Sequence, residues 1–359
     1  MFKFNQLDTV HLEISTRCQA SCPMCPRNFH SGIPNPNLKI ADWTYAEFVK
    51  IFNNIVLSQI KQIYFCGNFG DPIMNDDLIN MCQYLKDNAA HINLRIHTNG
   101  GARNKDWWKK LRKALPENHI VIFAIDGLED THHLYRIGTK YDVVIKNAKE
   151  FISCGGNAEW VFIKFKHNQH QAIEAETRSK DIGFSRFTIK NTTRFIGEPK
   201  YSVLDNNGNV LYYLEPPDQT QIVLIEKSHI DNFDNWYKNT EINCYVLKNK
   251  EIYIDAHKNV FPCCFLASAP YNHSFVQPML TEIRKKTIDQ YYQLILSIGG
   301  IEKLDALSRS IEEIINDEIW QSVWDVYWND KKLITCGRVC GNTKFSKPID
   351  QFVKRVNHV

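Results

Sequence analysis

Three cysteines stand close together near the beginning of the sequence, at Cys18, Cys22 and Cys25. Thiolates in this Cys-x3-Cys-x2-Cys spacing can hold three irons of a four-iron cube and leave the fourth iron open to chelate a substrate or cofactor. Zinc is an alternative, with His11 or His30 as a fourth ligand, and a disulfide beside one spare thiol is another. The spacing therefore predicts a metal loop built on three thiolates and leaves the identity of the metal open.

A second group of cysteines lies in the C-terminal half of the sequence. A hairpin is predicted between Cys244 and Cys263, and Cys336 and Cys340 share a short loop with two glycines. Four thiolates complete a site with no open position, and ligands from such distant segments tie a chain into one unit. These cysteines therefore predict a closed metal site, for which structural zinc or partly free thiols are the alternatives.

The cysteine content argues for metal or catalytic chemistry rather than for disulfides. Eleven cysteines occur in 359 residues, and the N-terminus lacks the apolar core of a signal peptide. Cys66, Cys82 and Cys154 stand alone in apolar segments and are predicted to be small buried hydrophobes. No stretch approaches the roughly 18 apolar residues of a membrane helix, and a net charge of +3 does not favour a nucleic-acid partner. A cytoplasmic location is expected.

The elements that must position these cysteines alternate between strands and helices. Short apolar runs alternate with segments of helical apolar spacing throughout the first half of the sequence. This regular alternation predicts an α/β fold with a mostly parallel sheet, a partial (β/α)6 TIM-like barrel with helices on its outside. The predicted strands cover residues 10–15, 62–66, 93–97, 119–125, 159–165 and 187–190, and the predicted helices cover residues 43–56, 76–88, 105–115, 141–154 and 172–182.

The loops that follow the first four strands are expected to meet at one rim, because ligands of parallel α/β folds bind beyond the carboxyl ends of the strands. The three-cysteine loop follows the first strand, and residues 67–72, 98–100 and 126–127 follow the next three. Spatial convergence is therefore predicted for segments that are far apart in sequence.

The pattern changes after about residue 195. Two hairpins are predicted within residues 201–214 and 252–261, and a largely helical stretch follows over residues 277–328 with a break at 299–300. The sequence therefore predicts a core of residues 1–195 and a smaller α+β extension of residues 196–359.

The segment from Cys18 to Cys25, Cys-Gln-Ala-Ser-Cys-Pro-Met-Cys, resembles the signature loop of the radical SAM superfamily. The resemblance covers roughly residues 8–195 and implies that the three cysteines bind a [4Fe–4S] cluster whose open iron chelates S-adenosylmethionine (SAM). In that family an electron from the cluster breaks the S–C5′ bond, and the resulting 5′-deoxyadenosyl radical abstracts a hydrogen atom from the substrate. The cofactor carries the difficult chemistry, and the protein positions the parts.

The resemblance also implies which residues contact SAM. Residues 69–72 match the position of the family's Gly-Gly-Glu-Pro type segment, with Phe69 and Asp71 in place of glycine and glutamate. Met24 replaces an aromatic residue that often borders the adenine, and Ala124 lacks the serine hydroxyl that often begins the end of the fourth strand. Arg136 resembles an arginine placed near the cofactor, and a surface arginine is the alternative. The implied SAM contacts are Met24, Gly67, Asn68, Gly70, Asp71, Thr98, Asn99, Asp126 and Arg136.

Residues 254–264 resemble the hairpin of the SPASM/twitch extensions, which bind auxiliary iron–sulfur clusters in radical SAM enzymes. Five candidate cysteines fit the shorter twitch form, with one cluster, better than the SPASM form, which carries seven. Cys263 aligns better than Cys264 as a ligand, and Lys258 occupies the position of the usual turn glycine. The cluster could take an electron from a substrate radical, or it could be structural. The implied ligands of this auxiliary [4Fe–4S] cluster are Cys244, Cys263, Cys336 and Cys340.

Two classes of function follow from these patterns. The first is a radical SAM enzyme that oxidises or modifies a peptide or a small molecule, with a flavodoxin- or ferredoxin-type electron donor. The second is a zinc-binding or electron-carrying interaction protein without radical chemistry, which would have no need of the rim residues after the second to fourth strands. The sequence assigns no catalytic residue and no substrate.

Overall fold

The computed structural model describes residues 1–29, 33–192, 194–195, 200–218, 235–236, 239–271, 281–329, 332–342 and 352–358. No helix in this described part of the chain is long and apolar enough to span a lipid bilayer. The strands are β1 (Thr9–Leu12), β2 (Asn28–Phe29), β3 (Ile33–Pro34), β4 (Gln62–Phe65), β5 (Asn93–Thr98), β6 (His119–Ala124), β7 (Ala158–Lys164), β8 (Arg186–Asn191), β9 (Tyr201–Leu204), β10 (Val210–Leu214), β11 (Glu251–Ile254), β12 (Val260–Phe261) and β13 (Phe352–Asn357).

Helices follow most of the parallel strands, and more helices lie in the C-terminal half. Several of them are single 3-10 turns, at Phe4–Gln6, Pro72–Met74, Gln169–Gln171, Ala269–Tyr271 and Ile301–Leu304. The α-helices are Tyr45–Ile51, Asn54–Gln59, Leu78–Asn88, Lys105–Ala114, His132–Tyr135, Tyr141–Ser153, Ala172–Ile182, Tyr245–Asn249, Cys264–Ala267, Thr281–Ile298, Ile311–Asn316, Glu318–Asn329 and Ile334–Cys340.

A nine-stranded sheet forms the centre of the molecule, in the order β12-β11-β1-β4-β5-β6-β7-β8-β13. The six predicted strands β1, β4, β5, β6, β7 and β8 pair in parallel in chain order. The sheet curls without closing on itself, and the α/β partial barrel predicted from the sequence is confirmed.

The extension contributes strands to both edges of this sheet. Strand β11 pairs in parallel with β1 and carries the hairpin partner β12, while β13 pairs antiparallel with β8. Antiparallel strands at both edges of a parallel sheet cover backbone groups that would otherwise pair with other chains. The division at residues 195 and 196 stays a prediction, since strands from both sides of that boundary form one sheet.

The two faces of the sheet differ in chemistry because side chains alternate along each strand. One face packs under the helices and contributes to the main apolar core, for example through Leu94, Trp160 and Phe187. The opposite face lines the inside of the open barrel and carries many polar side chains, together with a small apolar cluster of Ile120, Ile122 and Val161. The inner face is therefore available for recognition, while the outer face holds the fold together.

Two helix boundaries differ from the prediction for local reasons. The predicted helix 43–56 is two helices, because the side chain of Asn53 accepts hydrogen bonds from the N–H groups of Ile55 and Val56 (3.0 and 3.2 Å) and begins a new one. The helix predicted from residue 76 begins at Leu78, because Asn75 caps the preceding turn by accepting from the N–H of Asp77 (2.8 Å). Side-chain caps thus decide where these helices start.

The turn of the β11–β12 hairpin explains the lysine that replaces glycine there. Lys258 has φ of +71°, in the left-handed region that favours glycine. Its side chain is mostly buried, and its Nζ lies 3.0 Å from Glu47 Oε1 and donates to the backbone carbonyl of Asp42 (3.1 Å). The backbone at Lys258 is therefore strained, and the contacts of its side chain connect the extension to the helix that begins at Tyr45 and to the residues just before it.

Substitution of Lys258 should separate these two effects. Lys258→Ala removes the contacts to Glu47 and keeps the strain, whereas Lys258→Gly removes the contacts and relieves the strain. We expect Lys258→Gly to be more stable than Lys258→Ala by about 1 kcal/mol, and Lys258→Ala to be less stable than the parent. Urea unfolding measures both differences, with Glu47→Gln as the control that changes no backbone preference. Equal stability of the alanine and glycine variants would contradict the strain.

Candidate functional site

The three-cysteine loop leaves the carboxyl end of β1 and folds back across the rim of the barrel. Cys22 is buried, and Cys18 and Cys25 are half-buried. The N–H of Cys25 donates to the carbonyl of Cys22 (3.0 Å), and the N–H of Ser21 donates to the carbonyl of Ile137 (2.7 Å). The three thiols therefore lie in one loop that the segment after β6 holds in place.

An ion pair from the loop after β6 lies beside Cys22. Nε of Arg136 is 2.6 Å from Oδ2 of Asp126, and Nη1 of Arg136 lies 3.8 Å from Sγ of Cys22. Burial alone would lower the pKa of Arg136, but the neighbouring Asp126 carboxylate raises it, so the guanidinium stays charged. Burial also raises the pKa of Cys22, an effect that Arg136 opposes. Arg136 is thus a fixed positive charge next to a thiol and not a surface side chain.

The loops after β4 and β5 are joined through Asp71. Its carboxylate is buried and accepts hydrogen bonds from the N–H groups of Asn99 (2.7 Å) and Ile73 (3.2 Å). The side-chain amide of Asn99 donates to Sγ of Cys18 (3.5 Å). The loops after β4 and β5 therefore meet at the cysteine loop and bring together three predicted site residues, Asp71, Thr98 and Asn99. Asp71 acts indirectly, by holding the backbone of Asn99.

Glu13, which the sequence analysis did not single out, shapes the turn at residues 67–70. Oε1 of its buried carboxyl group accepts from the N–H groups of Phe69 (2.7 Å) and Gly70 (3.1 Å). A Cβ on Gly70 would stand 1.8 Å from the carbonyl oxygen of Ser15, and one on Gly67 would stand 2.8 Å from Oε1 of Glu13. Gly70 is therefore required by its close approach to the segment after β1, and Gly67 by its close approach both to the backbone of Gly70 (2.4 Å) and to Glu13.

The same carboxyl group connects the core to the extension. The hydroxyl of Tyr253, on β11, donates to Oε2 of Glu13. The side-chain amide of Asn68 donates to the hydroxyl of Tyr253 (3.2 Å) and to the carbonyl of Cys264 (3.0 Å). Asn68 thus points toward β11, away from the group that gathers at Cys18. The sequence signal for Glu13 was a carboxylate at the end of an apolar strand, in phase with the inner face.

Met24 lies under a cover formed by the β9–β10 hairpin. It packs with Cys22, Tyr135, Val203 and Leu214 in a small apolar cluster. The hydroxyl of Tyr201, on β9, donates to the carbonyl of Pro23 (2.8 Å), and Nη1 of Arg194 donates to the carbonyl of Met24 (2.8 Å). Both hydrogen bonds hold this part of the chain against the cysteine loop. Apolar packing therefore shields the cysteine loop from water on this side.

The three thiols of the loop are a donor set that fits an iron–sulfur cube. Among the residues that the structure describes, no three His, Cys, Asp or Glu side chains converge closely enough to hold one metal ion. A cube takes each thiolate at a different corner, and three thiols of one loop supply such a donor set. His11, the alternative zinc ligand, donates through Nε2 to the carbonyl of Cys66 (2.6 Å) and stacks on Tyr64. His30 lies outside the described residues.

The four distal cysteines line one apolar pocket. Cys244 precedes the helix Tyr245–Asn249, Cys263 follows β12, and Cys336 and Cys340 lie on the helix Ile334–Cys340. The other lining side chains are Tyr245, Val246, Pro262, Phe265, Leu266, Thr335 and Val339. Cys264 is not among the lining residues, and its thiol lies close to Tyr245 instead. The structure therefore brings together the four cysteines that the sequence grouped.

Short backbone contacts close this pocket. The N–H of Asn243 donates to the carbonyl of Cys340 (2.7 Å). A Cβ on Gly341 would meet the carbonyl oxygen of Gly337 at 2.3 Å, so the chain needs glycine there. A hydrogen bond from Cys340 lowers the pKa of Cys244 to about 7, helped by N–H groups at the start of its helix. A thiol with a lowered pKa is ready to bind a metal as thiolate.

Comparison with known families identifies the core. Residues 12–173 match the family model described as the Radical SAM superfamily. The match contains the cysteine loop and the ends of β1, β4, β5, β6 and β7 described above. The match covers less than half of the chain, and this part of the chain is similar to the radical SAM superfamily.

One curated relative and several solved structures are similar to the chain. The tungsten-containing aldehyde ferredoxin oxidoreductase cofactor-modifying protein of Pyrococcus furiosus is 26% identical over 130 residues, which cover 36% of this chain and 33% of the relative. The match thus spans about a third of the relative's own length.

The solved structures share the fold over most of the chain. Streptococcus suis SuiB bound to S-adenosylmethionine has a TM-score of 0.53 at 13% identity and covers 89% of this chain and 68% of its own. The anSMEcpe structure with bound AdoMet has a TM-score of 0.52 at 14% identity and covers 98% of this chain and 90% of its own. At such low identity these similarities establish the fold alone.

The buried Glu13 makes a prediction about pH. Burial raises the pKa of Glu13 to about 7, although its hydrogen bonds from Tyr253, Phe69 and Gly70 oppose the shift. The folded protein then holds this proton more tightly than the unfolded chain, so the contribution of Glu13 to stability falls as pH rises from about 4.5 to 7. Glu13→Gln carries no titrating group, and it should gain stability relative to the parent over this range, by up to about 3 kcal/mol.

Unfolding titrations between pH 4.5 and 8 check this expectation. The exposed Glu312→Gln serves as the control and should follow the pH dependence of the parent. A stability difference between Glu13→Gln and the parent that stays constant with pH would show that folding does not raise the pKa of Glu13.

Proposed function

We propose that Cys18, Cys22 and Cys25 bind a [4Fe–4S] cluster and that the chain cleaves SAM reductively at this cluster. The observation that carries the proposal is the meeting of four strand-end loops at one thiol group, with Arg136 beside Cys22 and Asn99 beside Cys18. A module that only bound zinc would need neither contact. When bound, the cluster and SAM supply a 5′-deoxyadenosyl radical that abstracts a hydrogen atom from the substrate.

The residues of the chain have distinct tasks in this proposal. Arg136 offsets the negative charge of the thiolates from a distance at which a charge-assisted contact is strong in a buried site. Asn99 orients Cys18, and Asp71 holds the backbone of Asn99. The β9–β10 hairpin excludes water from the side of Met24, which protects a reactive radical from side reactions.

We propose further that the distal pocket binds an auxiliary [4Fe–4S] cluster through Cys244, Cys263, Cys336 and Cys340. Four thiols around an apolar pocket fit a cluster whose irons all carry protein ligands. With no open iron, such a cluster cannot chelate SAM, and it suits either electron acceptance from a substrate radical or a structural role. Cys263 is the ligand in this assignment, since Cys264 does not line the pocket.

The substrate in this proposal is a peptide or a small molecule that undergoes oxidation or another modification. A SuiB structure bound to its precursor peptide SuiA has the same fold as this chain, with a TM-score of 0.53 at 13% identity, covering 89% of this chain and 67% of SuiB. That likeness makes a peptide the first substrate class to test. A flavodoxin- or ferredoxin-type protein would supply the electron, and the reaction would take place in the cytoplasm.

The first test concerns the three-cysteine loop. Anaerobically reconstituted protein with dithionite and SAM should release 5′-deoxyadenosine, and Cys22→Ala should abolish release because two thiolates do not hold the cluster. Chromatographic detection of 5′-deoxyadenosine measures this. Cys154→Ala is the matched control that keeps full activity, because Cys154 is exposed and not buried as the sequence predicted. Cleavage of SAM by Cys22→Ala at the parental rate would contradict the proposal, and so would a parent protein that is colourless and holds stoichiometric zinc.

The second test uses two adjacent cysteines. The parent should hold about eight irons, and Cys263→Ser and Cys336→Ser should each lose about half of them. Cys264→Ser should keep all of them, because its thiol lies outside the pocket. Iron analysis gives the stoichiometry, and SAM cleavage by the two half-loaded variants reports that the first cluster survives. Iron loss from Cys264→Ser but not from Cys263→Ser would reverse the ligand assignment.

A further inference from the structure

Asn68 lies in the turn at residues 67–70, and its side chain reaches into the extension. Its amide nitrogen donates hydrogen bonds to the hydroxyl of Tyr253 on β11 (3.2 Å) and to the backbone carbonyl of Cys264 (3.0 Å). Cys264 directly follows Cys263, which lines the distal pocket. One side chain of the rim therefore contacts the segment that leaves the distal pocket.

The first of these hydrogen bonds leads back to the turn. The hydroxyl of Tyr253 donates to Oε2 of Glu13. Oε1 of Glu13 accepts from the N–H groups of Phe69 (2.7 Å) and Gly70 (3.1 Å). Asn68, Tyr253 and Glu13 thus form a closed circuit of hydrogen bonds with the backbone of the turn. The members of a buried network support one another, so the shape of the turn depends on where the side chain of Asn68 is held.

The second hydrogen bond meets a short helical segment that begins at the distal pocket. Residues 263–271, which we call the coupling segment, contain the helix Cys264–Ala267 and the 3-10 turn Ala269–Tyr271. The carbonyl of Cys264 also accepts from the N–H of Ser268 (3.0 Å). The orientation of this carbonyl is therefore set by a helix whose first residue follows a cysteine of the pocket.

The other end of the coupling segment lies at the rim. The ring of Tyr271 packs edge-to-face against the ring of Phe69, with ring centroids 5.3 Å apart. The side-chain amide of Asn35 donates to the carbonyl of Tyr271 (2.7 Å) and to the carbonyl of Pro26 (3.3 Å), the residue after Cys25. The coupling segment thus begins at the distal pocket and ends against both the turn and the three-cysteine loop.

The distal pocket is built so that its loading restrains the coupling segment. Its cysteines come from three separate parts of the chain, at Cys244, at Cys263 and on the helix Ile334–Cys340. A group bound to all of them cross-links these parts, and metal binding of this kind orders a chain. Order imposed at Cys263 passes to the carbonyl of Cys264 and from there to Asn68. A ligand at the turn then loses less conformational entropy on binding when the pocket is loaded.

We propose that Asn68 is a positioning residue that transmits loading of the distal pocket to the turn at residues 67–70, so that SAM binds more tightly to the loaded protein. The inference rests on the proposed function, because it takes the rim as the SAM site and the distal pocket as a cluster site. Asn68 acts through the backbone of Phe69 and Gly70 and does not need to touch the cofactor. Because such coupling is reciprocal, SAM also favours retention of the distal cluster.

A double-mutant cycle on SAM affinity tests the proposal. Cys336 lines the pocket but lies outside the coupling segment, so Cys336→Ser unloads the pocket without altering residues 263–271. Anaerobic calorimetry of reconstituted protein without reductant should give a SAM dissociation constant about tenfold higher for Cys336→Ser than for the parent, a typical size for coupling between sites. Asn68→Ala should raise the constant similarly, and the double variant should bind SAM no more weakly than Asn68→Ala alone.

The alanine variant is expected to fold, because each partner of Asn68 keeps another hydrogen bond. The carbonyl of Cys264 still accepts from Ser268, and the hydroxyl of Tyr253 still donates to Glu13. Asn68→Ser keeps a polar group in the turn, but its side chain is too short to reach the carbonyl of Cys264. It serves as a second variant with the same expected result.

Asn80 provides the matched control. It is exposed on the helix Leu78–Asn88, and its side-chain amide donates to Oδ1 of Asp77 (3.1 Å). Asn80→Ala should bind SAM as the parent does. Cys336→Ser should keep its tenfold effect in the Asn80→Ala background.

Hydrogen exchange supplies a readout that requires neither SAM nor activity. The N–H groups of Phe69 and Gly70 should exchange faster in Cys336→Ser than in the reconstituted parent, because the turn is held less firmly. In the Asn68→Ala background, the Cys336→Ser substitution should leave the exchange of both groups unchanged. Mass spectrometry of peptides that cover residues 67–70 measures these rates.

The outcomes separate this inference from the proposed function. A parent that cleaves SAM but has the same SAM affinity as Cys336→Ser overturns the inference alone, and so do effects of Asn68→Ala and Cys336→Ser that add in full. A parent that holds about eight irons but binds no SAM refutes the SAM-cleaving function, and hydrogen exchange then decides whether Asn68 couples the pocket to the turn. A parent without a distal cluster overturns both the auxiliary cluster and the coupling.

Discussion

The carboxyl group of Glu13 is the contact on which the arrangement of the rim depends. It is buried at the end of β1, it fills the turn at residues 67–70, and it accepts the hydroxyl of Tyr253 from the extension. A buried carboxyl group without partners would cost several kcal/mol. The end of β1, the turn after β4 and the hairpin of the extension must therefore fold together. The three-cysteine loop begins with Cys18, five residues after Glu13, so these contacts also fix where that loop starts.

Much of the core could be predicted because its signals are local. Apolar periodicity located the six parallel strands, and the rule that parallel sheets bind ligands at the carboxyl ends of their strands brought the cysteine loop together with Asn99 and Asp126. Arg136 was expected there only from the family resemblance. What these residues do was less accessible. Asp71 holds the backbone of Asn99, and Asn68 faces Tyr253. Neither role could be predicted, because each depends on partners that are distant in sequence and that only tertiary packing brings together.

The strand pairing at the two edges of the sheet could not be predicted from the sequence. The β11–β12 hairpin was predicted, but its parallel pairing with β1 was not, and β13 was missed altogether. Edge pairing carries little local signal, since a short strand of mixed charged and apolar residues, such as Phe352–Asn357, can join any exposed edge. Lys258 is another case: its place in a glycine position looked unfavourable until Glu47 supplied the compensating contact. The four distal cysteines could be grouped from the sequence because four thiols in one chain are a strong chemical constraint, and they line one pocket; their role as cluster ligands stays a prediction.

The position of β13 has a consequence for biosynthesis. Strand β8 is complete by Asn191, yet its edge partner spans Phe352–Asn357, more than 150 residues later along the chain. During translation the edge of the parallel sheet at β8 stays unpaired while the intervening helices and all four distal cysteines are still being made, and such an edge can pair with other chains. Pairing of β8 with β13 can therefore occur only near the end of translation, and it joins segments that are far apart in sequence. Delivery of iron and sulfide to the distal pocket falls in the same late interval, because Cys340 leaves the ribosome only shortly before β13.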